Sequence, residues 1–472
     1  MSLITLNYLF FILIIAFLVR LSPANLKLLI ITFASLIFIG FYSWFSVVFI
    51  LISSCINFYF GKYLSLNKKK SVLISTVLTN TFFLFVLKYF NFSQGLNLGA
   101  ANFQISSIAV ALGISYYTLQ NIAYLIETYN DRIKPTDNIF QYICFNAFFP
   151  KVTCGPIESP KLFLKTLGNL PIASKEDWIC GIQRIGIGLF KKMVIADRIA
   201  PIVSRTYELD VPSQGFTTWI GICLFTVQLY FDFSGYIDIA MGSARLLGIR
   251  LTENFNHPFR ATSISDFWRR WHITLFDWIK LYLYFPIVYY FRSYKKWSVI
   301  FGLGIVFLLS GLWHGIGLTF LTWACLHILF ITYEVLTKQK RKKYAKKISS
   351  YIYTPISIFI TFNLVCFSEL FFRSKSMTNA FALLERTFTF SFFPKNWTID
   401  FWAPLIGGGS QEHLFNIYCT FIIFILFIIF EKTIYQKAIS KKINILVWLI
   451  LFLVFFVFGI FESGEEFIYL QF

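Results

Sequence analysis

Long, unalternating apolar runs separated by short polar links dominate this chain. Stretches near residues 5–20, 27–43, 44–62 and 72–90, and again near 351–372, 414–430 and 443–460, are apolar throughout. A helix needs about twenty such residues to cross the hydrocarbon core, and the whole pattern predicts about ten or eleven spans. Unpaired backbone groups are too costly in lipid for anything but helices or a closed barrel, and a barrel would alternate with a period of two. The fold class expected is therefore all-α, a polytopic integral membrane protein. Residues 127–178 and 249–265 are richer in Pro, Asn and charge. They are read as re-entrant or interfacial segments, whose irregular backbone must line a cavity or be wrapped by protein.

The polar links carry a topology. Basic clusters at Asn67-Lys68-Lys69-Lys70, Arg292–Lys296, Lys338–Lys347 and Lys437–Lys442 are expected on the cytoplasmic side. The apolar stretch between the second and third must leave and return, which puts the turn at Gly315 and Gly317 away from the cytoplasm. Glu462, Glu465 and Glu466 follow the last span without a nearby Lys or Arg, which suits an external end. The first twenty residues lack a basic leader and a small-residue cleavage site and read as a retained span. We find no repeat or linker, so one membrane domain over 1–472 is expected, with core motifs in 105–330 and further spans in 350–472.

Composition agrees. Of the 472 residues, 57% are hydrophobic and 14% charged, too few polar groups for an ordinary soluble surface. The net charge of +19 follows from basic inner loops and gives no ground for nucleic-acid binding. Eight cysteines, none in a CxxC pair, indicate neither a zinc site nor a disulfide framework, and no metal is expected.

Five histidines occur, His257, His272, His314, His327 and His413. His314 sits in SGLWHGIG at the glycine-lined turn. A titratable group at membrane depth is a functional candidate by default, although a packing histidine that ends a helix reads equally well from position alone. His272 lies in SDFWRRWHITLFDW, where helical spacing puts Asp266 one turn from Arg269 and Arg270, and Trp268 one turn from His272. An interfacial helix with tryptophans at headgroup depth explains this segment without catalysis. Asp232 and Asp238 interrupt an apolar stretch and should face the interior and find donors there. Lys191, Lys192, Asp197 and Arg198 read as an amphipathic helix end with local ion pairs, mainly scaffold and cytoplasmic anchor.

In combination these segments resemble the membrane-bound O-acyltransferases, in particular the branch of alginate and peptidoglycan O-acetylation membrane subunits. The resemblance rests on LGISYYTLQNIAYLIETY (112–129), FFPKVTCGPIESP (148–160), GLFKKMVIADRI (188–199), YFDFSGYIDIAMG (230–242), ENFNHPF (253–259), SDFWRRWHITL (265–275), SGLWHG (310–315) and the tail EEFIYLQF (465–472). One departure is LYLYFPIVYYFRS after the RRWH segment, where relatives carry a Gly-Gly-Asn.

The resemblance implies helices around a central tunnel, where a cytoplasmic thioester donor, acetyl-CoA, meets an acceptor from outside. It implies catalysis by His314, with His272 as a second position in the tunnel. Asp266, Arg269, Arg270, Trp313 and Asn254 become candidate donor-binding residues. No permanently bound cofactor is implied. The expected partners are membrane lipids, the acyl donor, a polysaccharide acceptor and a separate extracytoplasmic O-acetyltransferase, at a bacterial inner membrane. D-alanyl transfer to teichoic acid from a carrier-protein thioester is the alternative within the family. A polysaccharide or lipid transporter is the alternative outside it.

Overall fold

The computed structural model describes residues 3–93, 111–208, 215–388, 411–439, 445–461 and 467–468. The charge patterns at Lys437–Lys442 and Glu462, Glu465 and Glu466, the tail motif, and residues 105–110 of the core region lie wholly or partly outside these. Among the described residues the regular structure is helical, with no strand. Six helices are long and apolar enough to span, namely Trp44–Asn67, Lys70–Lys88, Phe216–Leu246, Lys296–His314, Leu318–Ala345 and Ser350–Arg373. Four shorter apolar helices join them, at Leu6–Leu21, Ala24–Gly40, Tyr418–Glu431 and Trp448–Phe458. The chain is a multi-pass membrane protein, as the apolar runs predict.

Two compact units form, one from Met1–Ile187 with Tyr236–Thr252 and one from Gly188–Gly235 with Glu253–Phe472. The first contains α1 (Leu6–Leu21), α2 (Ala24–Gly40), α3 (Trp44–Asn67), α4 (Lys70–Ser93), α5 (Ile114–Tyr129), α6 (Ile139–Ala147) and α7 (Pro160–Gly168). It also takes most of α8 (Lys175–Phe190). Its buried polar groups join helices to one another. Asn146 of α6 donates to Asn121 Oδ1 of α5 at 2.9 Å and to Ser54 Oγ of α3 at 3.0 Å, and Tyr142 donates to the same Asn121 oxygen at 2.8 Å. Such a network fixes register where apolar contacts alone would let helices slide.

Helix α8 opens with a capping box. Asp177 N–H donates to Ser174 Oγ at 3.1 Å, and the Asp177 carboxylate accepts from Ser174 N–H at 3.1 Å and from the Ser174 hydroxyl at 2.7 Å. Arg245 and Arg250 reach the other carboxylate oxygen at 3.3 and 3.1 Å. Burial works to raise this carboxyl, but the bonds from Ser174, Arg250 and Arg245 outweigh it and hold the group down at about 2. Farther along, Arg184 pairs with Asp238 at 2.8 Å, the donor expected for that intramembrane aspartate.

The second unit begins at a π-helical turn, Lys191–Ala196, followed by α9 (Asp197–Thr206). The wider π turn brings residues five apart into line, so Lys192 reaches Asp197 Oδ1 at 2.7 Å. Lys192 also meets Asp232 Oδ1 at 2.8 Å on α10 (Phe216–Leu246). Lys191 donates to Ser234 Oγ at 3.1 Å and lies 3.5 Å from Glu431. Both lysines are buried to within 1%, which corrects the amphipathic reading: they neutralise carboxylates inside the protein and do not face water. Helix α10 tolerates its aspartates because 89% of its apolar window is buried in protein.

The remaining elements carry the site. They are α11 (Ile264–Trp268), α12 (Ile273–Ile279), α13 (Phe285–Tyr290), α14 (Lys296–His314), α15 (Leu318–Ala345), α16 (Ser350–Arg373) and α17 (Met377–Thr387). Two further helices follow, α18 (Gln411–Ile439) and α19 (Ile445–Phe458). Helices α14 and α15 form the hairpin inferred from the basic links, and Gly315–Gly317 is its turn. The two helices close tightly at Gly311, where a Cβ would sit 2.9 Å from Phe320 O and 3.0 Å from the Ala324 methyl.

Candidate active site

His314 is the last residue of α14 and is buried. Gly315 N–H donates to Gly311 O at 3.0 Å and ends the helix there, so the imidazole projects where the hairpin turns. Aromatic edges enclose it. The Trp313, Trp323 and Phe372 rings lie at centroid distances of 4.8, 5.6 and 5.0 Å.

His272 arrives from a different element. The segment 264–279 is not the continuous helix that its spacing predicts. Helix α11 ends at Trp268, and His272 adopts a left-handed backbone (φ 45°) before α12 starts. Trp268 and His272 are thus not stacked one turn apart. The break is fastened by the preceding loop, with Ile273 N–H donating to Asn254 O at 2.9 Å and Asn256 N–H donating to Arg270 O at 2.9 Å. Asn254 Oδ1 receives Thr274 N–H at 3.1 Å and the Thr274 hydroxyl at 2.9 Å, and lies 3.3 Å from His272 Nδ1. An amide oxygen can only accept, so the His272 proton resides on Nδ1 and Nε2 is the basic nitrogen. Burial pushes this imidazole down to about 3, and the ring is neutral at physiological pH.

Both histidines line one narrow cavity of about 30 Å³, walled by Trp268, Trp271, Phe307, Trp323 and Phe372. That volume admits a water-sized group, since about 10–15 Å³ suffices for one water. Two further polar groups open onto it, Ser310 and Glu369. Glu369 Oε1 accepts from Trp323 Nε1 at 3.1 Å, whereas its buried Oε2 has no hydrogen-bond partner among the described residues. The sequence reading missed Glu369. Its signal was present, as a lone carboxylate within the apolar run of α16.

His327 lies behind this wall. It accepts from Trp268 Nε1 at 3.3 Å through Nδ1, and its Nε2 is 3.0 Å from Ser368 Oγ. This arrangement orients Trp268 toward the cavity. The fourth histidine within reach of the structure, His257, bonds Glu431 at 2.8 Å in the buried lysine cluster.

The candidate donor-binding residues divide. Asn254 positions His272 and does not line the cavity. Trp313 flanks His314. Asp266 pairs with Arg269 at 3.3 Å and Arg270 at 3.0 Å, as the spacing predicts, but all three stand off the cavity and the Arg269 side chain is 68% exposed. Among the described residues no three His, Cys, Asp or Glu side chains gather as metal ligands.

This arrangement, two imidazoles and a carboxyl group in an aromatic slot between membrane helices, suits proton transfer to or from a small reacting group. Comparison with known proteins identifies the family. The chain is 31% identical over 384 residues to a protein named probable alginate O-acetylase from Pseudomonas aeruginosa, covering 78% of this chain and 70% of that one. It is 32% identical over 348 residues to a peptidoglycan O-acetyltransferase from Helicobacter pylori, covering 67% and 64%. It is also 30% identical over 278 residues to a teichoic acid D-alanyltransferase from Bacillus subtilis, covering 56% and 69%. The family profile described as MBOAT, membrane-bound O-acyltransferase family, matches residues 31–374, and the chain is a member of that family, an O-acyltransferase built into the membrane.

Proposed function

We propose that this enzyme transfers an acetyl group from acetyl-CoA toward a hydroxyl of a cell-envelope or extracellular polysaccharide at a bacterial inner membrane. One observation carries the proposal: His314 and His272, reaching the same point from separate elements, share one cavity.

In this mechanism His314 is the general base. It takes the proton from the acceptor hydroxyl as that oxygen attacks the thioester carbonyl, forming the new C–O bond. The C–S bond then breaks, and the proton passes to the departing thiolate to give free CoA. Positioned proton transfer of this kind contributes about 10²–10⁴ in rate, and confinement of both reactants adds to it. Neutral His272, its Nδ1 proton directed at Asn254, offers Nε2 as acceptor to the substrate hydroxyl or to a water. Glu369 lines the same cavity, where its carboxyl oxygen can accept a hydrogen bond from the protonated His314 ring. In this reading Arg269 and Arg270, outside the cavity and partly solvent-facing, bind the CoA phosphates. A separate extracytoplasmic O-acetyltransferase is the proposed recipient where transfer to the glycan is relayed.

The similarity to the Bacillus subtilis D-alanyltransferase supports a second reading, with a D-alanyl thioester on a carrier protein as donor. The two separate in liposomes containing the purified full chain. Acetyl-CoA consumption with release of free thiol is expected. Thiol release only from a D-alanyl carrier thioester refutes the acetyl reading, and release from neither refutes acyl transfer.

A further inference from the structure

A second, larger cavity lies apart from the histidines, in the groove between α15 and α16. Its volume is about 620 Å³, and it is lined by Leu329 and Phe330 on one helix and Ile352, Ile356 and Ile360 on the other. Hydroxyl side chains such as Ser357 and Thr361 punctuate it, and its two charged groups, Glu334 and Arg341, line it on the α15 side, with Arg341 and Tyr344 toward the end of α15. That end adjoins the most basic stretch of the chain, KQKRKKYAKK at 338–347.

The dimensions and the charge select an occupant. From Ile352 to Leu364 the groove follows α16 for twelve residues, about 18 Å at 1.5 Å per residue. One leaflet of hydrocarbon is about 15 Å thick, half of a core of about 30 Å. A largely apolar groove one leaflet long, with Arg341 at the end that adjoins the basic stretch, fits an acyl chain with an anionic head. Basic pockets between membrane helices on the cytoplasmic side bind such headgroups. Arg341 has capacity for one. Its Nη2 lies 3.9 Å from Glu334 Oε2 and 3.5 Å from Glu334 O, while its buried Nε has no hydrogen-bond partner among the described residues.

We propose that this groove is a binding site for an anionic glycerophospholipid, with an acyl chain between α15 and α16 and its phosphate on Arg341. The site connects to the chemistry through Glu334. That carboxylate accepts from Ile264 N–H at 2.6 Å, Ser265 N–H at 3.1 Å and the Ser265 hydroxyl at 2.5 Å, and so secures the start of α11. Helix α11 carries Trp268, a wall of the histidine cavity. A phosphate drawing on Arg341 alters the charge beside Glu334, and lipid occupancy thereby bears on the geometry around His272.

The test reads binding, not transfer, so its failure leaves the acyl-transfer reading standing. The full chain in detergent is titrated with phosphatidylglycerol and with phosphatidylcholine, and retained lipid is counted by native mass spectrometry. One cationic side chain near a phosphate is worth about fivefold in affinity. Wild-type protein should retain phosphatidylglycerol several-fold better, Arg341→Gln should lose about fivefold of that preference, and Ile356→Trp should lower retention of both lipids. Equal retention of the two lipids by wild type, an unchanged preference in Arg341→Gln, or displacement of phosphatidylglycerol by CoA would overturn the proposal.

Discussion

Replacing Lys192 by methionine tests whether the buried ionic cluster is structural. Methionine keeps an unbranched apolar stem and removes the terminal ammonium with its charge and its donors. Lys192 bonds Asp197 at 2.7 Å and Asp232 at 2.8 Å, with all three side chains no more than 4% exposed. Asp232 Oδ2 also accepts from Ile468 N–H at 2.8 Å, so its carboxylate cannot simply turn away. The variant therefore leaves two carboxylates in the interior without their shared cation. Removing one partner from a buried pair costs about 3–5 kcal/mol, a large part of a typical total of about 5–15 kcal/mol. Adding Asp232→Asn removes one of the stranded charges. The double variant should then be less destabilised than the two single costs combined, by about 0.5–3 kcal/mol. Denaturant titration of the purified protein in detergent, followed by tryptophan fluorescence, measures all four members of the cycle. A Lys192→Met variant within about 1 kcal/mol of wild type, or strict additivity in the double variant, refutes the reasoning.

Other outcomes follow from the same geometry. Because burial holds His272 neutral down to about 3 while an unfolded histidine protonates near 6.5, the unfolded chain binds the proton first as pH falls. Stability is thus lost between about pH 6.5 and 3, by roughly 2 kcal/mol from 6.5 to 5; His272→Gln should flatten that part of the pH–stability curve, and an unchanged slope contradicts the assignment. Gly311→Val should push α14 from α15 at Phe320 O and Ala324, costing about 1–3 kcal/mol and activity as well; native melting with full activity would show that the close approach is not required. Glu369→Gln retains an acceptor for Trp323 but removes the titratable group, and should lower kcat by about tenfold or more with little change in KM. An unchanged kcat reduces Glu369 to packing.

Helical class, membrane insertion and the α14–α15 hairpin were legible because they follow from span length and from the placement of Lys and Arg, which act over twenty residues at a time. The pairing of Asp266 with Arg269 and Arg270 was legible for a similar reason, since one helical turn sets it. What spacing could not convey was the break at His272. A left-handed residue between two short helices is fixed by Asn254, eighteen positions away, and not by local periodicity. Lys191 and Lys192 misled for a related reason. Adjacent lysines near an apolar run resemble a membrane anchor, and only their tertiary partners Asp232 and Glu431, with the π turn that aligns Asp197, make burial possible. Glu369 shows the reverse: the lone carboxylate was visible, but nothing in the chain indicated that α16 turns it toward the same cavity as His314.

The most direct test of the account is single-turnover acetyl transfer by His314→Ala. Wild type and variant are compared in liposomes for release of free CoA, with melting temperature and acetyl-CoA binding measured on the same preparations. Retained folding and donor binding with transfer reduced by about a hundredfold or more is the predicted result. Transfer at the wild-type rate by a folded His314→Ala protein would contradict it.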